Sequence, residues 1–151
     1  MGLLTKIKND KLEVSVENFK AALWELKDEG GYHYLSDLTV VDNLPQTPRF
    51  HVVYVLTNMK DAKRVILKVP LSSENPRILT VTDIWSGANW MEREAYDMFG
   101  VIFEGHPHLK RIYAAAHQSW SGHGTEDYPL RKDYNIIQRP GDDKTEKNEK
   151  W

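Results

Sequence analysis

A run of β-branched and aromatic residues at positions 50–57, FHVVYVLT, is followed after a short polar connection by a second apolar run at 64–69, RVILKV. Such residues fill a pleated, half-buried surface well, and a connection of that length suits a hairpin. The two runs predict an antiparallel pair, and the rest of the chain must be arranged around it. Upstream, residues 11–16 alternate as a short strand does, and 17–29 carry Phe19, Leu23 and Leu26 at helical spacing. Gly30 and Gly31 end that helix. Residues 32–41 predict a further strand, and the proline-containing loop 42–48 turns the chain. Residues 70–76 form a Ser/Asn/Pro loop, and 78–81 predict a short strand or the lead into a helix. The expected fold class is α+β, a small antiparallel sheet with packed helices, followed by an extended, irregular C-terminal segment. The expected division is residues 1–104 for the α+β domain, 105–138 for an extended partner-binding segment and 139–151 for a mobile polar tail.

Residues 90–111, WMEREAYDMFGVIFEGHPHLKR, are dense in acids, aromatics and turn residues. Asn89 as N-cap, Glu92 as its capping-box partner and Gly100 as a left-handed C′ residue predict one short helix. Met91, Ala95 and Met98 then share an apolar stripe, and Trp90, Glu94 and Asp97 lie together on another face. Arg93 and Asp97, four apart, are expected to pair. A tryptophan beside carboxylates suits a contact face better than bulk solvent. On this basis Asp97 serves a partner, and the free domain is expected to tolerate its loss.

The sequence has no cysteine, which removes disulfides, thiolate-held clusters, cysteine-ligated zinc and a cysteine nucleophile together. A net charge of −2 provides no broad attraction for nucleic acid or anionic lipid. No apolar run approaches the roughly 18 residues of a membrane-spanning helix, so direct membrane insertion is not expected. His106, His108, His117 and His123 cluster in sequence, but their spacing matches neither a helical His-x3-His pair nor a zinc finger. Glu92, Glu94 and Asp97 are spaced for acid–base work, which keeps a metal- or carboxylate-dependent hydrolase open as a rival. The glycines at 100, 105, 122 and 124 do not make a phosphate loop, since no Gly-Lys-Ser/Thr follows them. No catalytic, cofactor-binding or metal-binding residue is assigned.

The string EREAYDMFGVIFEGHPHLKRI, followed later by PLRKDY, resembles the signature of the thirty-kilodalton (C) subunit of respiratory complex I, the NADH:quinone oxidoreductase. Glu92, Arg93, Glu94, Asp97, Phe99, Gly100, Gly105, His106, Pro107, Leu109 and Arg111 stand where that motif has them, as do Pro129, Leu130, Arg131, Lys132, Asp133 and Tyr134. The resemblance implies a non-catalytic structural subunit without cofactors, in the peripheral arm of an ion-pumping membrane complex. It further implies docking on the forty-nine-kilodalton-type subunit, related to hydrogenase large subunits, beside an iron–sulfur subunit on the cytoplasmic side of the cell membrane. With Trp90, these residues are the expected partner interface. Tyr128 stands where complex I members often have His, and the equivalent subunit of a membrane-bound nickel–iron hydrogenase or an F420-linked complex is the alternative. Residues 129–134, with a proline that disfavours a central strand, are expected to act as a strap onto the larger neighbour.

Overall fold

The computed structural model describes residues 11–113 and 128–134. In chain order these form β1 (Lys11–Glu13), α1 (Phe19–Asp28), β2 (Tyr34–Asp42), β3 (Phe50–Asn58), β4 (Lys63–Leu71), β5 (Arg77–Leu79), α2 (Ala88–Phe99) and β6 (Ile102–Glu104). The expected pair at 50–57 and 64–69 is the β3–β4 hairpin, with Tyr54 opposite Leu67, and β2 flanks β3 in antiparallel register. The polar tail at 139–151 and the stretch 114–127, with His117 and His123, lie outside the described residues.

The sheet departs from expectation in one respect. It is mixed rather than antiparallel, in the order β1-β4-β3-β2, because β1 runs parallel to β4. Alternating burial in a short segment identifies a strand but carries no direction. Here α1 carries the chain from one edge of the sheet to the other, and a crossover of that kind returns a strand in parallel. A second unit of the same kind follows, with α2 joining β5 to β6 in a two-stranded parallel sheet that sets Ile78 beside Phe103. β6 is not among the strands expected from the sequence; its three residues follow almost directly on Gly100, within the stretch read around the helix.

α1 buries Phe19, Ala22, Leu23 and Leu26, a helical stripe against the sheet, and the Phe19 ring stacks on Tyr54 at 6.1 Å. Each large apolar side chain among them contributes about 1.5–3 kcal/mol on burial. From the flank of the same helix Lys20 Nζ donates to the Thr80 carbonyl and meets Asp83 at 2.9 Å. Lys27 Nζ donates to the Ile84 carbonyl and lies over the Trp24 and Trp85 rings. Two lysines on one helix thus hold the loop between β5 and α2. Downstream, α2 runs alongside β2 and shares one core with α1 and the sheet.

Candidate partner interface

α2 begins at Ala88 after Gly87 with no side-chain cap, so the Asn89 cap and its box with Glu92 do not form. Gly100 does end the helix as expected, with φ 74°. The buried stripe is Ala88, Glu92, Ala95 and Phe99, while Met91 and Met98 pack half-buried beside it. The helix is therefore rotated relative to the expected stripe, and an acid occupies a core position. Glu92 tolerates this because the end of β5 offers it donors: Val81 N–H at 2.7 Å and the Thr80 hydroxyl at 2.6 Å. Burial pushes its carboxyl up to about 7, against the lowering effect of these two hydrogen bonds.

Asp97 is also fully buried, which corrects its place on an exposed face with Trp90 and Glu94. Its Oδ2 accepts the backbone N–H groups of Ile112 at 2.8 Å and Tyr113 at 2.6 Å, and Arg111 Nη1 approaches Oδ1 at 3.6 Å. Arg93 does not pair with it. Instead Arg93 Nε donates to the Lys110 carbonyl, and its guanidinium covers the Trp90 ring at 4.7 Å. Four-residue spacing on a helix permits such a pair, but a carboxylate facing inward takes backbone donors first.

The chain after β6 runs back along α2, held at intervals. Gly105 turns it with φ 79°. His106 Nε2 donates to the Asn89 carbonyl at 3.1 Å while Nδ1 accepts the His108 N–H at 3.0 Å, and burial holds the imidazole below its usual range. Pro107 and His108 are exposed at the tip of this turn, and Leu109 packs half-buried on the core.

Residues 128–134 return to the same domain. Leu130 N–H donates to the Met98 carbonyl, and Arg131 Nε to the Phe99 carbonyl at 2.7 Å. The Arg131 guanidinium lies over the Phe50 and Tyr128 rings, and Arg111 lies over the same Tyr128 ring at 5.0 Å. Lys132 N–H donates to Asp42 and its Nζ to the Leu44 carbonyl, while Asp133 bonds Arg49. Tyr134 N–H closes a turn on the Arg131 carbonyl. The segment expected as a strap for a neighbour thus engages its own domain through Arg131, Lys132 and Asp133. Asp42 and Arg49 escape a reading of the sequence, since nothing in the 42–49 loop announces contacts some 90 residues away.

Gly100 shows how tightly the segment sits. A Cβ there would lie 2.5 Å from the Tyr128 ring and 2.6 Å from Arg131 Nη2, at a φ that side chains rarely adopt. Gly100→Ala is expected to cost about 2 kcal/mol or more, read as a lowered urea midpoint with unchanged slope.

What remains outward is a ridge along α2: Trp90 at 63% exposure, Glu94, Tyr113, Pro129 and Leu130 at 55%. Among the described residues no group of three or more His, Cys, Asp or Glu is placed to hold a metal ion. No described helix is long and apolar enough to cross a membrane.

Residues 12–140 match the family described as respiratory-chain NADH dehydrogenase, 30 Kd subunit. The C subunit of the NADH-quinone oxidoreductase of Citrifermentans bemidjiense is 45% identical over 121 residues, 80% of this chain and 71% of that one. The C/D 2 subunit of the NADH-quinone oxidoreductase of Aquifex aeolicus is 44% identical over 123 residues, which are 81% of this chain but 19% of the relative. Among solved structures, a chain of the membrane-bound sulfane sulfur reductase, an archaeal respiratory membrane complex, superposes with a TM-score of 0.69 at 26% identity, covering 89% of this chain and 77% of that one. The family match over residues 12–140 and the 45% identity to a C subunit across 80% of this chain agree: this chain belongs to the 30 Kd subunit family of respiratory-chain NADH dehydrogenase.

Proposed function

We propose that the chain is a non-catalytic structural subunit of the peripheral arm of a complex I-like, ion-pumping membrane oxidoreductase. It docks on the forty-nine-kilodalton-type subunit beside an iron–sulfur neighbour, on the cytoplasmic side of the cell membrane, and carries no redox group of its own. The observation that carries the partner is the Aquifex relative, whose name joins C and D on one chain of which this domain matches 19%. A covalent junction fixes the two parts at equal number and high local concentration, which suits a standing interface. The ridge of Trp90, Glu94, Tyr113, Pro129 and Leu130 suits that contact, with apolar anchors beside charge. Glu92, Asp97 and Arg131 support the ridge from within. A second reading, the equivalent subunit of a membrane-bound nickel–iron hydrogenase or F420-linked relative, draws support from the likeness to the archaeal complex.

The test is affinity purification of the tagged chain from native membranes. A D-type subunit at equal stoichiometry supports the proposal, and the identity of the remaining subunits separates the two readings. Trp90→Glu is expected to reduce recovery of the D-type subunit about tenfold or more while shifting the melting temperature of the purified chain by only about 2 °C. Undiminished recovery would remove Trp90 from the contact.

A further inference from the structure

We propose that Glu92, Thr80 and Thr82 form a buried proton-binding site, in which the Glu92 carboxylate takes up a proton by reversing a hydrogen-bond chain and without moving the backbone. Glu92 is wholly buried, yet its chain of partners leads outward. Oε2 meets the Thr80 hydroxyl at 2.6 Å, and that hydroxyl meets the Thr82 hydroxyl at 2.9 Å, where either oxygen can donate. Thr82 is only half-buried and stands next to the exposed Asp83.

The hydrogen-bond chain persists in both protonation states. With the carboxylate ionised, Thr80 donates to Glu92 and accepts from the Thr82 hydroxyl and the Thr82 N–H at 3.2 Å. When a proton from water arrives on Oε2, Glu92 donates to Thr80, Thr80 turns its own hydrogen to Thr82, and the Thr82 hydroxyl turns elsewhere. The Thr82 N–H stays on Thr80, and the Val81 N–H stays on Oε1 at 2.7 Å throughout. A hydroxyl has one donor and two acceptor sites, so every bond from Glu92 through Thr80 to Thr82 is kept in both states, and the half-buried Thr82 hydroxyl turns its hydrogen to solvent when the chain reverses. A buried network that keeps its bonds through a change of charge avoids the cost of an unpaired polar group.

The neighbouring groups leave the proton to Glu92. His106 Nε2 is 3.9 Å from Oε2, but Nε2 is engaged by the Asn89 carbonyl and Nδ1 accepts the His108 N–H. Protonating the imidazole would break the turn at 106–108, and Arg93 and His108 also disfavour its charge. Lys20 favours the ionised carboxylate and Asp83 the protonated one, and these two neutralise each other at 2.9 Å. Tyr54, buried beneath, keeps its phenol proton because burial and Glu92 both oppose its loss.

The experiment is a pH titration by NMR of the full chain carrying 13C in its glutamate carboxyls, with Glu92→Gln and Thr80→Val variants. One resonance is expected to titrate near pH 7 in the wild type, to be absent from Glu92→Gln, and to move higher in Thr80→Val, which loses a hydrogen bond favouring the charge. If Glu92→Gln fails to fold, the Thr80→Val shift still identifies the resonance. Titration of every glutamate in the usual carboxylate range would overturn the site. So would a neutral-range resonance that persists in Glu92→Gln or ignores Thr80→Val.

Discussion

Asp97→Ala is expected to destabilise the isolated chain by about 3–5 kcal/mol, lowering its melting temperature by roughly 10 °C. The carboxylate is wholly buried and accepts the N–H groups of Ile112 and Tyr113, so its removal takes the acceptor from both and the carboxylate that Arg111 approaches. An unsatisfied buried donor costs about 1–3 kcal/mol, and breaking a buried ion contact adds to it. Asp97→Asn keeps one acceptor oxygen and is expected to lose about half as much. Urea unfolding of the purified variants decides the matter. An alanine variant that melts like the wild type but no longer recovers the D-type subunit would return Asp97 to the contact surface, as the sequence alone suggests. Arg111→Ala in the Asp97→Ala background is expected to cost less than in the wild type, since its ion contact with Asp97 is by then already gone.

Asp42→Ala is the second large effect, at about 2–4 kcal/mol. Asp42 accepts from Arg49 Nε at 2.9 Å and Nη2 at 2.8 Å, from Leu44 N–H at 3.0 Å and from Lys132 N–H at 2.9 Å. Burial alone would raise its carboxyl, but Arg49 and the two backbone amides outweigh burial and hold it well below the usual carboxylate range. A depressed folded value means that the contribution is present above the ordinary aspartate range near pH 4 and fades as the solution becomes more acid. Glu92 has the opposite sign. Its folded value, about 7, lies above the unfolded one, so its contribution is complete below about pH 4.5 and is lost as pH rises through 7. Melting curves from acid to neutral pH are expected to show Asp42→Asn flattening the acid side; an unchanged acid side would assign that loss to other carboxylates.

How much the sequence discloses depends on the range of the interaction concerned. β3, β4, α1 and the Gly100 terminus follow from neighbours within a few residues, and all stand where the pattern puts them. The direction of β1 does not, because it is decided by pairing with Ile66, Leu67 and Lys68, far along the chain. The rotation of α2 is hidden for a different reason. Glu92 reads as polar in any periodicity count, and only the donors at Thr80 and Val81 make its burial tolerable. The family motif brings together residues that point in opposite directions: Glu92, Asp97 and Arg131 face the domain, whereas Glu94, Pro129 and Leu130 face outward. A motif string mixes both kinds of residue, and burial is what separates them.

The bridge from Asp42 and Arg49 to Lys132 and Asp133 also has a consequence in time. A ribosome delivers the chain from its N-terminus at about 5–20 residues per second. The residues of β1 to β4, with Asp42 and Arg49, have all been delivered once Leu71 has emerged. The Lys132 amide and the Asp133 carboxylate arrive only after everything between has been added, which takes seconds at that rate. Throughout that interval the groups that cover the Phe50 ring, the end of α2 and Asp42 are still missing from the nascent chain. This seam closes only when residues 128–134 arrive, so a product truncated before residue 128 lacks the groups that cover it and leaves it open to chaperones and proteases.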